Sequence, residues 1–223
     1  MVELTSCSHM LRRVVLPALV PAEQTMCMPA MRRHWTTEDV RALMDESRHW
    51  PRYELIDGEL IVTPAPGVIH QIAVAELWRV IDAYVDAERL GVAMISPADV
   101  ELRPGTITQP DVFVVPRAVL PIGDATMTWP DVTSLLLAVE IISPSSVRTD
   151  RIKKRDYYLD AGVAEYWVVD LDARIVERWL GTRDTPSVES NHFEWMPNGE
   201  SQPMRVDVAA LMDRIRGKLR GPQ

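Results

Sequence analysis

The stretch that decides the fold is Leu135-Leu-Leu-Ala-Val-Glu-Ile-Ile142. All of its residues except Glu140 are apolar, which is typical of a β-strand covered by other elements on both faces. A carboxylate in such a strand needs a cation, a metal ion or a set of hydrogen bonds around it. The sequence therefore predicts a covered strand that carries one charged side chain, and Glu140 is a candidate functional residue.

The elements on either side of this strand predict a single α/β (or α+β) domain with a mixed central sheet. Two alternating runs flank Asp57-Gly58, which indicates a β-hairpin with a tight turn. The apolar spacing after Gly67 predicts a long helix that Gly91 ends. In chain order the predicted elements are helix 37–47, hairpin 53–63, helix 68–90, strands 92–102, 111–115 and 135–142, helix 149–161, strands 164–170 and 174–180, and helix 207–219.

The composition of the 223 residues is that of a soluble globular protein, with 47% apolar and 25% charged residues. No apolar run approaches the roughly 18 residues of a transmembrane helix, so we expect no membrane span. Asp and Glu number 32 against 24 Lys and Arg, a net charge of -8. A broad basic surface for nucleic acid is thereby excluded, and any such contact needs a local basic strip and bound cations.

The N-terminal residues 1–33 are predicted to be a disordered leader, and residues 34–219 a single domain with its core at about 51–180. Both cysteines, Cys7 and Cys27, lie in the leader. They form neither a CxxC motif nor a zinc-binding spacing with histidines, so a disulfide scaffold is not expected. The default compartment is then the cytoplasm.

A second interpretation of the leader is a secretory signal. Arg12-Arg13 precede a short apolar stretch, residues 14–22, but Pro17 and Pro21 interrupt it. A start of translation downstream of residue 1 is the other alternative. The methionines that could serve as such a start are Met26, Met28 and Met31.

A second acidic residue opens the strand that precedes the Glu140 strand. Gln109-Pro-Asp111 stands directly before Val112, and Pro110 fits the start of a strand because it lacks a backbone donor. If the two strands are neighbours, Asp111 and Glu140 converge. Two hard oxygen ligands suit Mg²⁺, with water and substrate phosphate as the remaining ligands. The alternative is two separate carboxylates at strand ends, and the spacing leaves both open.

The helix after the Glu140 strand carries a basic cluster. Its sequence is Asp150-Arg-Ile-Lys-Lys-Arg155, and Asp150 and Lys154 share one face because they are four residues apart. A lysine that points into the site could hold an attacking water or neutralise phosphate charge. The alternative is an ordinary solvated basic face.

These motifs together resemble a known family. They are Tyr53–Glu59, Pro66–Gln71, Pro110-Asp111, Val139–Pro144, Asp150 with Lys154 and Tyr158, and Gly162–Asp170. In order and spacing they resemble the Uma2 family, restriction-endonuclease-like proteins of the PD-(D/E)xK nuclease superfamily, over about residues 35–180. The resemblance implies a mixed central sheet flanked by helices, with an N-terminal helix and hairpin. It also implies an Mg²⁺- or Mn²⁺-dependent endonuclease that hydrolyses nucleic acid, with DNA as the expected substrate.

The resemblance also implies roles for particular residues. Asp111 and Glu140 match the two acids of the superfamily and would be the metal ligands and catalytic acids. The place of the superfamily lysine falls on Ile142, which cannot do that work, and the family supplies Lys154 from the next helix instead. Glu54 of the hairpin would contribute to the same pocket, although ordinary strand alternation explains it equally.

Further residues are assigned to the rim and to partners. His70 opens the long helix, and it is a candidate pocket residue with Asp150; the alternative for His70 is a structural hydrogen bond. Arg151, Lys153 and Arg155 are the candidate contacts to nucleic acid. Three tryptophans near strand edges make a homodimer an expectation: Trp167, Trp179 and Trp195.

Two other functions stay open at this stage. Ile142 and the net charge of -8 also fit a catalytically inactive nuclease-fold module that binds nucleic acid or a protein partner. The same two acids could also serve hydrolysis of a different phosphate substrate.

Overall fold

The computed structural model of this chain describes residues 34–46, 50–120, 128–181, 185–197, 199 and 201–220. The predictions for residues 1–33, including both cysteines and the signal-like stretch, lie outside the described residues. The described elements belong to a unit that spans residues 33–223. Among them, no helix is both long and apolar enough to cross a membrane.

The described part of the chain is built around a six-stranded sheet of order β3-β4-β5-β6-β7-β8. Its strands are β3 (Gly91–Ile95), β4 (Val112–Pro116), β5 (Leu137–Ile141), β6 (Glu165–Asp170), β7 (Ile175–Leu180) and β8 (Ser187–Glu189). The β5–β6 pair is parallel and the other pairs are antiparallel. The predicted mixed central sheet is thus confirmed, with the Glu140 strand in its interior.

A separate hairpin precedes the sheet. It consists of β1 (Arg52–Ile56) and β2 (Glu59–Thr63), paired antiparallel. Both turn residues, Asp57 and Gly58, have positive φ, 50° and 73°. That conformation is what a two-residue hairpin loop requires, and Asp-Gly adopts it at little cost. A second two-stranded sheet pairs β9 (His192–Trp195) with β10 (Met204–Asp207).

Helices α2 (Val68–Ala87), α3 (Arg155–Asp160) and α4 (Val208–Gly217) cover the two faces of the central sheet. The remaining helix, α1 (Thr37–Glu46), packs on β1 of the hairpin. On one face, α2 and α4 pack on the alternate residues Val112 and Val139 of β4 and β5. On the other face, α3 packs on Phe113 and Ala138 through two buried tyrosines, Tyr157 and Tyr158. β4 and β5 therefore bury both of their faces, which explains their continuous apolar sequences.

The structure differs from the predicted elements in three places. The strand predicted over 92–102 ends at Ile95, because Pro97 lacks a backbone donor and interrupts the ladder. The polar segment 181–200 holds β8 and β9, which its many turn residues concealed. The helix predicted over 149–161 starts as a π-helical turn, Thr149–Lys154, before it continues as α3.

Candidate active site

Asp111 directly precedes β4, and Glu140 lies on the neighbouring strand β5. Val112 of β4 pairs with Val139 of β5, so the ladder continued by one residue brings Asp111 opposite Glu140. Because side chains alternate along a strand, both residues face the same side as Phe113 and Ala138. Their exposed fractions are 7% and 3%. The strand pairing thus brings the two predicted acids together in a buried position.

Lys154 reaches this position from the helix that follows β5. Its Nζ lies 3.0 Å from Glu140 Oε1, 2.9 Å from Glu54 Oε2 and 3.6 Å from Asp150 Oδ1. Its side chain is 6% exposed. One ammonium group therefore contacts three carboxylates at once, in an interior where such contacts are strong.

The π-helical turn explains why Lys154 points inward. Both Asp150 and Lys154 of this turn are buried; their spacing of four residues predicted a shared face but not its burial. The Tyr166 hydroxyl donates a hydrogen bond of 3.0 Å to the backbone carbonyl of Asp150, which fixes the turn against β6. π-Helical turns occur frequently at functional sites. Tyr158 of α3 donates a weaker bond, 3.4 Å, to Glu140 Oε1.

Glu54 enters the same group from the hairpin. It is buried, and its Oε1 accepts a hydrogen bond of 2.7 Å from the Gln109 backbone N–H. Its Oε2 contacts Lys154. Glu54 therefore ties β1 both to the segment before β4 and to the lysine, which ordinary strand alternation does not explain.

Asp111 is held by three groups of different kinds. Its Oδ2 accepts a hydrogen bond of 2.9 Å from the Ile141 backbone N–H and lies 3.0 Å from His70 Nε2. Its Oδ1 lies 3.8 Å from Arg52 Nη1, a longer ionic contact. His70, at the start of α2, is thus placed at Asp111. Its Nδ1 is buried and has no hydrogen-bond partner among the described residues.

A cleft of about 270 Å³ joins these side chains. All of the acids and bases named above line it: Arg52, Glu54, His70, Asp111, Glu140, Asp150 and Lys154. The sequence-predicted catalytic and pocket residues therefore share one cleft, and Arg52 is an addition to them.

The comparisons with known proteins concern the family and the fold of the chain. The model of a family named Uma2, described as "Putative restriction endonuclease", matches residues 37–205. The chain belongs to the Uma2 family. A search of curated proteins gave no match.

Among solved structures, the Uma2 chain is similar to "a putative nuclease belonging to DUF820 from Anabaena variabilis ATCC 29413". The TM-score is 0.62 at 20% identity, and the match covers 74% of this chain and 92% of that chain. At this identity the likeness shows the fold, and it confirms the predicted restriction-endonuclease-like architecture. Family and fold together support a nuclease.

Burial sets the protonation of the cluster in the Uma2 cleft. Burial raises the pKa of the Glu140 carboxyl well above its ordinary value, against the opposing effect of Lys154, and the nearby carboxylates raise it further. Burial likewise raises the pKa of Asp150, against Lys154 and a hydrogen bond from Ser146. For Lys154, burial by itself lowers the pKa, but the three carboxylates outweigh it and leave the pKa well above its ordinary value. Lys154 is therefore a firmly held cation.

The donor set of the cleft fits a divalent metal ion. Restriction-endonuclease-like proteins generally use such ions, and Asp111 and Glu140 offer the hard carboxylate oxygens that Mg²⁺ and Mn²⁺ prefer. Among the described residues, no three His, Cys, Asp or Glu side chains form a ready metal cluster. An ion held here would therefore take further ligands from water or substrate. The neighbouring carboxylates add to the effect of burial on the pKa of Glu140, and a dication would offset their negative charge.

The predicted basic strip lies outside the cleft and is engaged in ion pairs. Arg151 contacts Glu177 and Asp170 at 2.6 and 3.0 Å, and Lys153 contacts Glu59 at 2.5 Å. Arg155 contacts Asp156 and stacks over Trp179. None of the three basic residues is among the described residues that line the cleft.

The tryptophans on which the expected homodimer rested are core residues. Trp167 and Trp195 are fully buried and pack edge to face on each other at 5.6 Å, and Trp179 is 7% exposed. They therefore supply no surface for a second copy, and the homodimer stays a prediction without their support.

Sequence reasoning missed Arg52 and Gln109. Arg52 lies two residues before Glu54 on β1, so both side chains face the same side of the strand. Once Glu54 was a candidate, this alternation of side chains along the strand could have identified Arg52 as a second candidate. Gln109 gave no such signal, because its contribution to Glu54 is a backbone N–H and any residue type except proline supplies one.

Proposed function

We propose that this protein is a metal-dependent endonuclease that hydrolyses phosphodiester bonds of nucleic acid, with DNA as the first substrate to test. The observation that carries the proposal is the contact of Lys154 with Glu140, 3.0 Å apart, in the cleft that Asp111 also lines. It supplies the third member of the superfamily's catalytic set from the helix, although Ile142 stands at the usual place of the lysine.

In this proposal Asp111 and Glu140 hold Mg²⁺ or Mn²⁺. The ion supplies an acidified water and a positive charge beside the scissile phosphate when it is bound. Lys154 Nζ positions the nucleophile or stabilises the charge that develops on the phosphate oxygens. Glu54 fixes Lys154, since its carboxylate accepts from both the ammonium and the Gln109 backbone.

Arg52 is the candidate phosphate contact of the cleft. Its Nη1 lies 3.8 Å from Asp111 Oδ1, which is longer than a good hydrogen bond, so the guanidinium is not firmly held by this carboxylate. A planar guanidinium also suits a phosphate group. A metal ion on Asp111 would weaken this contact and favour transfer of Arg52 to substrate. Arg151, Lys153 and Arg155 remain proposed backbone contacts, and each would have to exchange its present carboxylate partner for phosphate.

The test is cleavage of plasmid DNA, single-stranded DNA and RNA by purified protein with Mg²⁺, with Mn²⁺ and with EDTA. Variants Asp111→Ala and Lys154→Ala are compared with Lys218→Ala, whose ammonium pairs with Glu76 outside the cleft. We expect metal-dependent cleavage that both cleft variants lose and the Lys218 variant keeps.

Two results would count against the proposal. Cleavage that persists in both cleft variants would come from another protein in the sample or another site. A folded wild-type protein that cuts none of the substrates would favour the non-catalytic module, for which the three carboxylates around Lys154 would be a structural network. Binding to nucleic acid should also weaken steeply with salt, because phosphate contacts release counterions.

A further inference from the structure

A second cavity, of about 350 Å³, lies beside the catalytic cleft. Trp50, Arg52 and Gln109 line both the cavity and the cleft, so these three residues form the wall between them. We propose that the second cavity binds one unpaired nucleobase of the substrate strand, next to the phosphate in the cleft. This inference rests on the proposed nuclease function and adds a base-binding subsite to it.

The walls of the cavity are aromatic. Trp50, Tyr53 and Trp129 line it, and bases of any sequence stack on such rings. Trp129 is fixed by an edge-to-face contact with Phe113 at 5.9 Å, and the Arg52 guanidinium lies 4.7 Å from the centre of the Trp50 ring. These contacts hold the walls in place before a ligand enters. The volume lies at the low end of the roughly 300–1,000 Å³ of small-molecule sites, which suits a single ring system.

The cavity is lined by one buried side chain, Gln109, whose hydrogen-bond acceptor is unpaired within the described part of the chain. Gln109 is buried, and its Nε2 donates a bond of 2.6 Å to Asp99 Oδ1. That bond fixes the amide orientation and leaves Gln109 Oε1 as an acceptor with no partner among the described residues. A buried acceptor without a donor is costly, so a ligand that brings an N–H group is favoured. Adenine brings such a donor in its exocyclic amino group, whereas an unsubstituted purine nucleotide lacks that group and carries no N–H on its ring.

The position of Arg52 connects the two cavities along one strand. Its guanidinium lines both, between Asp111 of the cleft and the ring of Trp50. A phosphate held there would place the base of the same nucleotide, or of its neighbour, at the aromatic walls. Unpaired bases reach such pockets from single strands or by flipping out of a duplex. The subsite therefore predicts a preference for single-stranded or locally opened substrate.

The experiment uses single-stranded DNA 12-mers that carry 2-aminopurine at one position at a time. Binding to the full chain is measured in Ca²⁺ by anisotropy, and stacking by quenching of 2-aminopurine fluorescence. We expect strong quenching at one position, lost in Trp129→Leu and kept in Trp78→Leu, a control on α2 outside both cavities. Unsubstituted purine in place of adenine there should weaken binding of the wild type about fivefold or more, in line with single base contacts. In Gln109→Met, which retains the backbone N–H to Glu54, this preference should fall below about twofold.

The outcomes separate this inference from the proposed function. Metal-dependent cleavage with equal quenching at every position, or with no preference for adenine over unsubstituted purine, would overturn the subsite and leave the nuclease intact. A protein that neither binds nor cuts any nucleic acid would overturn both. If Trp129→Leu does not fold, Gln109→Met decides alone, since a base preference unchanged in that variant contradicts the assigned acceptor.

Discussion

Replacement of Lys154 by methionine tests the electrostatic reasoning behind the cleft without any substrate. The change keeps most of the side-chain volume but removes the one ammonium that contacts Glu54, Glu140 and Asp150 at 2.9, 3.0 and 3.6 Å. Removal of one partner from a buried ion pair costs about 3–5 kcal/mol, because the remaining charge stays buried without compensation. With three carboxylates left behind, we expect a loss near the upper end of that range at pH 8.

The loss should depend on pH in a stated direction. Burial already raises the pKa of Glu140 and Asp150, and loss of the opposing lysine raises both further. Between the ordinary carboxyl pKa and the raised values, the folded protein binds more protons than the unfolded chain, so its stability falls as the pH rises. The destabilisation by Lys154→Met should therefore be smallest near pH 5 and largest near pH 8.

The measurement is urea unfolding of wild type and variant at both pH values. The matched control is Lys153→Met, the adjacent residue, whose ion pair with Glu59 joins side chains 33% and 52% exposed. An exposed pair of this kind is worth about 0–1 kcal/mol, with little pH dependence in this range. If the two variants lose equal stability, or if the loss for Lys154→Met is the same at pH 5 and pH 8, the buried-charge account is wrong.

Three further predictions concern other parts of the molecule. The effect of Glu140→Gln on the free energy of unfolding of the metal-free protein in urea should be more favourable at pH 8 than at pH 5, because it removes a buried carboxyl with a raised pKa, and the variant should lose cleavage; an effect that is equal at both pH values or less favourable at pH 8 would contradict this. Arg52→Gln should weaken binding of single-stranded DNA and lower the slope of log affinity against log salt by about 0.7, the share of one phosphate contact; an unchanged slope would remove Arg52 from the phosphate site. Gly91→Ala should cost about 1–3 kcal/mol in thermal or urea unfolding, since a Cβ there would overlap the Val115 backbone carbonyl, and a neutral result would show that β3 can shift away from β4.

The sequence was most informative where local chemistry and burial agree. Asp57-Gly58 predicted its turn because few other pairs accept positive φ at both positions, and the structure has it there. Glu140 stood out because a charge is rare in a covered strand, and it lies in the cleft. In both cases one or two residues depart from the surrounding pattern, and that departure has one main physical explanation.

The features that the sequence did not predict depend on contacts far along the chain. The strands β8, β9 and β10 follow from their pairing partners, which a polar, turn-rich segment does not reveal. Arg52 looks like any polar residue of an alternating strand until its neighbour across the cleft, Asp111, is known. The opposite error occurred with Trp167 and Trp195, which apolar size alone could not assign to core or interface.

The parallel pairing of β5 with β6 has a consequence for the order in which the protein is made. Glu140 lies on β5, whose ladder to β6 runs to the pair Ile141–Val169, and the π-helical turn with Lys154 lies between the two strands. Synthesis runs from the N-terminus, so β6 leaves the ribosome after every charged residue of the cleft has already emerged. Until then the nascent chain contains the acidic residues and Lys154 of the cleft but lacks strand β6, against which the π-helical turn packs. The cutting activity proposed for this cleft would begin only once β6 has docked, which separates synthesis of the chain from the onset of its chemistry.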